Sequence, residues 1–256
     1  MAKILVTGGL GFIGSHTAVE LIKAGHQTVI VDNLSNSTLS VLDGIEEIAG
    51  VRPEFEQIDL KNRSEVADFF ARHTDLDGII HFAAYKAVGE SVSKPLEYYE
   101  NNLGSLVYIL QEMRDREIDN LIFSSSCTVY GEAEELPITE DSPVVPAISP
   151  YGNTKQVGEE IIKDAVKAHQ LNVISLRYFN PIGAHPSAVI GEAPLGVPLN
   201  LVPYVTQTAA GVREQLSVFG SDYETRDGTN ERDYIHVVDV DDSYLYTTSR
   251  YAHPVE

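Results

Sequence analysis

The chain has 256 residues, 43% of them hydrophobic and 22% charged, which is long and apolar enough to bury a substantial core. Its net charge of −20 argues against nucleic acid or an anionic membrane surface as the principal partner, and no apolar run reaches the length of a membrane span. A single cysteine, Cys127, excludes an internal disulfide and suits a reducing cytoplasm.

The opening "MAKILVTGG" enters a strand at once, with no charged leader and apolar stretch, so no signal peptide is expected. The glycosylation-type triplets at Asn33, Asn36 and Asn62 then carry no meaning. From there, short β-branched runs alternate with helical patterns. "KILVT" is a predicted strand and "FIGSHTAVELIKAG" a helix closed by Gly25; "TVIVD" is the second strand and "STLSVLDGIEEIAG" the second helix. "FEQID", "GIIHFAA" and "NLIFSSS" follow as strands, separated by the helices "RSEVADFFARH" and "GSLVYILQEMRDRE". A helix from Pro150 and the strand "VISLRYFN" complete the rhythm. Such alternation predicts an α/β fold: a Rossmann-type doubly wound parallel sheet covered on both faces. After Asn180 the pattern breaks into a Pro/Gly-rich stretch, a helix near Pro203 to Ala210, and strands at "LSVFG" and "DYIHVV". The expected organisation is a dinucleotide-binding domain over 1–180 and a partial smaller lobe over 181–256.

"VTGGLGFIGSH" sets Gly9, Gly11 and Gly14 in G-x-G-x-x-G between a strand and a helix. That context is what a dinucleotide site needs: a tight turn at Gly9, backbone close to a pyrophosphate at Gly11, and helix packed on strand at Gly14. The N–H groups opening the helix then face the phosphates. Asp32 ends the second strand where an acid would bind the ribose hydroxyls and repel a 2′-phosphate, so NAD is expected rather than NADP.

"SPYGNTK" places Tyr151 and Lys155 four residues apart on one helix face, behind an N-capping Ser149 and Pro150 at the first helical position. A nearby ammonium favours the phenolate, and the positive charge of an oxidised nicotinamide adds to it, which makes Tyr151 a candidate base beside a hydride acceptor. Ser124, Ser125 and Ser126 end a strand at the ligand edge; one hydroxyl is expected to relay the proton of Tyr151 and at least one to satisfy backbone. Cys127 reads as structural, and His81 and His236 as satisfied groups within apolar strands. No Cys/His spacing indicates a metal.

Together with these elements, "DNLSNS", "HFAAYKAVGESV", "YYENN", "FSSSCTVYGE", "LRYFNPIGAHPS", "LNLVPY" and "RDYIHV" resemble the extended short-chain dehydrogenase/reductase family, in its UDP-hexose 4-epimerase branch, from Lys3 to about Val238. The resemblance implies interconversion of UDP-galactose and UDP-glucose through a transient 4-keto sugar with tightly bound NAD. It implies Tyr151 as base and acid, Lys155 as its tuner, and Ser126 beside the sugar oxygen. It puts Gly8, Gly11, Phe12, Ile13, Gly14, Asp32, Asn33, Asn36, Ser37, Asp59, Leu60, Phe82, Ala83, Lys86, Asn101, Ser124, Tyr178 and Phe179 on the cofactor with Tyr151 and Lys155. Lys86, Ser126, Tyr151, Asn180, Asn200, Leu201, Ser217, Phe219 and Arg232 would meet the UDP-sugar, and a local ion pair with Glu231 or Asp233 is the competing reading of Arg232. Related 4,6-dehydratases carry two carboxylates where this chain has Ser126-Cys127-Thr128, which ranks elimination lower. Homodimerisation is implied through helices around Pro95 to Asp115 and Pro150 to His169. Resembling proteins continue past "YTTSRYAHPVE" and are less acidic at Asp241, Asp242 and Ser243, so an NAD-holding protein without turnover is the alternative.

Overall fold

The computed structural model describes residues 1–252, the side chains at positions 242, 245–247 and 249–252 excepted. The Asp242 side chain and the tail 253–256, both weighed above, lie outside what is described. Six strands, β1 (Lys3–Thr7), β2 (Gln27–Asp32), β3 (Glu54–Gln57), β4 (Gly78–His81), β5 (Asn120–Ser124) and β6 (Asn172–Leu176), form one parallel sheet in the order β3-β2-β1-β4-β5-β6. The connecting helices are α1 (Phe12–Lys23), α2 (Ser40–Ala49), α3 (Arg63–Arg72), α4 (Val88–Ser93), α5 (Pro95–Arg116) and α6 (Pro150–His169). Strand order reverses between β1 and β4, and the crevice beyond their carboxyl ends is where an open α/β sheet takes its ligand.

Strand residues with period two feed the two faces in turn. Leu5, Val29, Val31, Ile79, Leu121 and Phe123 pack with Phe69, Phe70, Leu106, Ile109 and Ile162 of α3, α5 and α6. Ile4, Val6, Ile30, Ile80 and Ile122 pack on the other face with Val19, Leu21, Leu42 and Ile45 of α1 and α2. Both faces being buried explains why these strands read as continuous apolar runs. Each such side chain contributes roughly 1.5–3 kcal/mol.

Beyond β6 come β7 (Asn180–Ile182), α7 (Leu201–Ala209), β8 (Tyr234–His236) and α8 (Val237–Ala252). β7 and β8 form a separate two-stranded parallel sheet, Asn180 opposite Tyr234. The run "VISLRYFN" is therefore two strands in two sheets. "LSVFG" is not a strand: no neighbour pairs with it, and Val218 and Phe219 are exposed. Helix α5 starts nine residues earlier than the pattern alone indicated and close to the Pro95 to Asp115 span the resemblance implied, because Pro95 opens it and its inner face is partly polar, with Asn101, Asn102 and Ser105 buried beside Tyr98 and Leu106. α4 was not foreseen. Among the described residues no helix is long and apolar enough to cross a membrane.

Candidate active site

The turn after β1 is built by glycines that tolerate nothing larger. Gly8, not Gly9, takes the left-handed conformation (φ +66°), and a Cβ there would lie 2.9 Å from the amide N of Ala83. A Cβ on Gly14 would lie 2.4 Å from the carbonyl O of Gly8, so α1 seats directly on the turn. Gly11 is the N-cap of α1 and supplies no side-chain cap, which leaves the first-turn N–H groups facing the crevice. Asp32 closes the pocket: its carboxylate accepts from the amides of Leu10 (3.2 Å) and Leu34 (2.9 Å) and from the Ser37 hydroxyl (2.9 Å). Asp59 and Leu60 follow β3, and Phe82, Ala83 and Lys86 follow β4, so all four turns open on the same edge. Asn36 is exposed, Asn33 turns back to the amide of Ser35, and Asn101 is buried on α5 against Asn102. The donor set, the uncapped helix end and the glycine cradle fit an NAD pyrophosphate and ribose.

Ser149 caps α6 by accepting from the amide of Gly152 at 3.1 Å, with Pro150 in the first turn, as the spacing predicted. The helix then presents Tyr151 half-buried and Lys155 4% exposed. Lys155 Nζ donates to the carbonyl of Ser124 (2.7 Å) and sits over the rings of Phe123 (5.0 Å) and Tyr151 (5.9 Å). Burial lowers its pKa to about 8, and the Glu159 carboxylate one turn on opposes the shift. The Tyr151 phenol is pushed up, chiefly by burial and then by Tyr178; a hydrogen bond with Ser126 acts the other way. Burial thus acts on the phenol against the phenolate, and the Lys155 ammonium is engaged by the Ser124 carbonyl, in line with the expectation that one lysine needs a second positive charge beside it.

The three serines divide their work. Ser124 hydrogen-bonds the Tyr178 hydroxyl, Ser125 donates to Glu159, and Ser126 accepts from the Thr128 amide at 3.2 Å, capping the single 3₁₀ turn Cys127–Tyr130 beside Tyr151. Glu159 and Arg177 were missed. Arg177 grips both Glu159 oxygens (2.9 and 2.5 Å) and stacks over Tyr130 (4.9 Å to the ring). The signal was present: Glu159 continues the Tyr151-Lys155 stripe by one turn of α6. His81 is buried as expected, paired with Thr7 Oγ1 at 2.8 Å, its pKa lowered by burial to about 3. His236 is not a core group; on the open two-stranded sheet it is exposed and accepts from the Val238 amide. Burial raises the thiol of half-buried Cys127. One compact His/carboxylate group occurs among the described residues, Glu54, Glu56 and His73, and Arg72 and His73 already engage Glu56.

The residues expected to meet the UDP-sugar are less uniformly placed. Asn180 is half-buried on β7, its amide group donating to the Asp233 carbonyl at 2.8 Å. Asn200 and Leu201 start α7. Ser217 lies in the unpaired stretch with Phe219, and Phe219 is 85% exposed. Arg232 is exposed and donates to the backbone carbonyl of Glu231 rather than to a carboxylate. Lys86 and Asn200 are joined through Glu192, which no sequence signal had singled out.

Three comparisons place this geometry. Residues 4–254 match the model of the NAD dependent epimerase/dehydratase family. A UDP-glucose 4-epimerase of Neisseria meningitidis serogroup B is 50% identical over 246 residues, 96% of this chain and 72% of the relative. UDP-glucose 4-epimerase 2 of Arabidopsis thaliana is 51% identical over 250 residues, 96% of this chain and 71% of the relative. The crystal structure of a UDP-glucose 4-epimerase from Bifidobacterium longum with NAD+ and UDP superposes with a TM-score of 0.94 at 44% identity, covering 97% of this chain and 74% of that one.

Proposed function

The chain belongs to the NAD dependent epimerase/dehydratase family, and from that premise we propose how its residues divide the interconversion of UDP-galactose and UDP-glucose at the sugar C4. One observation carries the assignment: Tyr151, Ser126 and the buried Lys155 meet at the carboxyl end of β5, the sheet edge at which α1 also starts uncapped.

NAD is the cofactor. The turn Gly8 to Gly14 with the amides of Phe12 and Ile13 would hold its pyrophosphate; Asp32, with Asn33, Asn36 and Ser37 near it, would hold the adenosine ribose. Asp59, Leu60, Phe82, Ala83, Lys86, Asn101, Ser124, Tyr178 and Phe179 complete the pocket. When bound, it supplies a reversible hydride acceptor for C4 and a positive charge near the phenol. Tyr151 removes the proton of the sugar 4-hydroxyl and returns it to the opposite epimer. Ser126, beside the phenol, would hold the same sugar oxygen as it gains carbonyl character. Lys155, when protonated, would add its charge to that of the nicotinamide in favouring the phenolate. Asn180, Leu201, Ser217, Phe219 and Arg232 would hold the UDP end, with Lys86 and Asn200, joined through Glu192, on the hexose side, leaving the ring free to turn over. The alternative, NAD retention without turnover, is disfavoured by the intact catalytic trio. A homodimer through α5 and α6 is supported by the apolar Leu96 and Val92 left exposed near the start of α5, and a cytoplasmic setting by the free thiol.

The test is to add UDP-galactose to purified protein with no added NAD and follow UDP-glucose. Product should form, and Tyr151→Phe should lower the rate at least about 100-fold with NAD content unchanged. No product from protein that still releases NAD on denaturation would sink the assignment. The dimer is checked by light scattering: a monomeric mass at micromolar protein would remove it.

A further inference from the structure

Glu192 lies in the Pro/Gly-rich segment between β7 and α7, yet its side chain is only 10% exposed. The segment is pinned at its base. Ile190 is buried against Gly44 of α2, where a Cβ would come within 2.7 Å of Ile190 Cγ2, and Ala184 pairs with Gly191. A fixed backbone therefore delivers the carboxylate. One oxygen, Oε1, serves two donors: Lys86 Nζ at 3.3 Å and the Asn200 side-chain amide in a short hydrogen bond. Lys86 comes from the turn after β4 and Asn200 from the start of α7, so the carboxylate ties the large sheet to the smaller lobe.

Two details make this more than a surface ion pair. Asn200 is the N-cap residue of α7 and yet makes no capping bond with its own helix, the ordinary use of an asparagine there. Its amide is turned to Glu192 instead. Lys86, 53% exposed, is a flexible point charge that would otherwise wander. Glu192 neutralises it and uses part of its donor set; the ammonium has three N–H groups, so others remain. A neutralised ammonium and an oriented carboxamide are suited to the hydroxyls of a neutral hexose. A free cation there would compete for the diphosphate.

We infer that Glu192 is a positioning residue that aims Lys86 and Asn200 at the hexose of the UDP-sugar and withholds Lys86 from its diphosphate. The inference rests on the substrate reading of Lys86 and Asn200 above. The experiment compares wild type, Glu192→Gln and Glu192→Ala, all NAD-loaded. It measures KM and kcat for UDP-galactose, and Kd for UDP by calorimetry. For Glu192→Ala, KM should rise at least fivefold with kcat within threefold of wild type, while UDP binds as tightly as before or tighter. Glu192→Gln keeps an acceptor oxygen and should restore most of the KM. Equal weakening of UDP and UDP-galactose, which a collapsed lobe would produce, overturns the inference, as does an unchanged KM. Wild type that binds UDP but neither binds nor converts UDP-galactose overturns the substrate reading itself, and the inference with it.

Discussion

Lys155 shows how one buried charge ties stability to chemistry. Its ammonium is held by the Ser124 carbonyl and the Phe123 ring, and burial brings its pKa to about 8. Below that pH the folded protein carries the full cost of a buried charge. As pH rises from about 8 toward the ordinary lysine value near 10.4, the folded state sheds the proton that the unfolded chain keeps, and the cost fades. Wild type should therefore gain stability relative to Lys155→Met over that window, by at most about 1.4 kcal/mol per pH unit. Melting both proteins at pH 7, 8, 9 and 10 checks the sign; a gap that narrows the other way would contradict it. The Tyr151-Lys155 pair was legible because both residues lie on one helix. Glu159 was legible on the same stripe, but its partner Arg177, like the pairing of Thr7 with His81, was not, since spacing along the chain does not reveal partners from different elements.

At the scale of elements, local grammar decided what could be read. Ser149 and Pro150 announce α6, and the cap is in place. Ser149→Ala should cost about 1 kcal/mol and lower Tm by roughly 3 °C in a calorimetric scan. The glycine turn was legible too, but its register was not: the left-handed residue is Gly8. Gly14→Ala drives a methyl into the Gly8 carbonyl, so it should destabilise by about 1–3 kcal/mol and strip NAD from the purified protein. Full NAD occupancy in that variant would refute the close seating of α1. "LSVFG" failed for a different reason. A strand exists only with a neighbour, and its β-branched composition carries no information about whether one arrives.

Across the whole molecule, alternating strands and helices were enough to anticipate the parallel sheet, and the sheet edge then gathers residues from distant turns into one crevice. The part after Asn180 was harder to read, because it is Pro/Gly-rich and without a clear period, and β7 finds its partner β8 more than 50 residues on. α8 is the main tie between the two. Asp241 accepts from Thr17 of α1 (2.8 Å), and the fully buried Tyr244 packs on Phe82 (4.7 Å) and Tyr178 (6.5 Å), both expected at the cofactor. Tyr244→Ala should cost about 3–5 kcal/mol and loosen NAD as well, read as a lower Tm and a lower NAD content after gel filtration. Loss of stability with NAD retained would confine Tyr244 to packing.

The lone thiol has a use that chemistry in the crevice does not require. Cys127 is half-buried at the head of the 3₁₀ turn that Ser126 caps, and its amide is anchored to the Tyr178 carbonyl at 3.1 Å. With one cysteine in 256 residues, a maleimide dye attaches at a single point and needs no engineered background. Its attachment rate reads how reachable the thiol is, so a ligand that covers the turn beside Tyr151 would register as slower labelling.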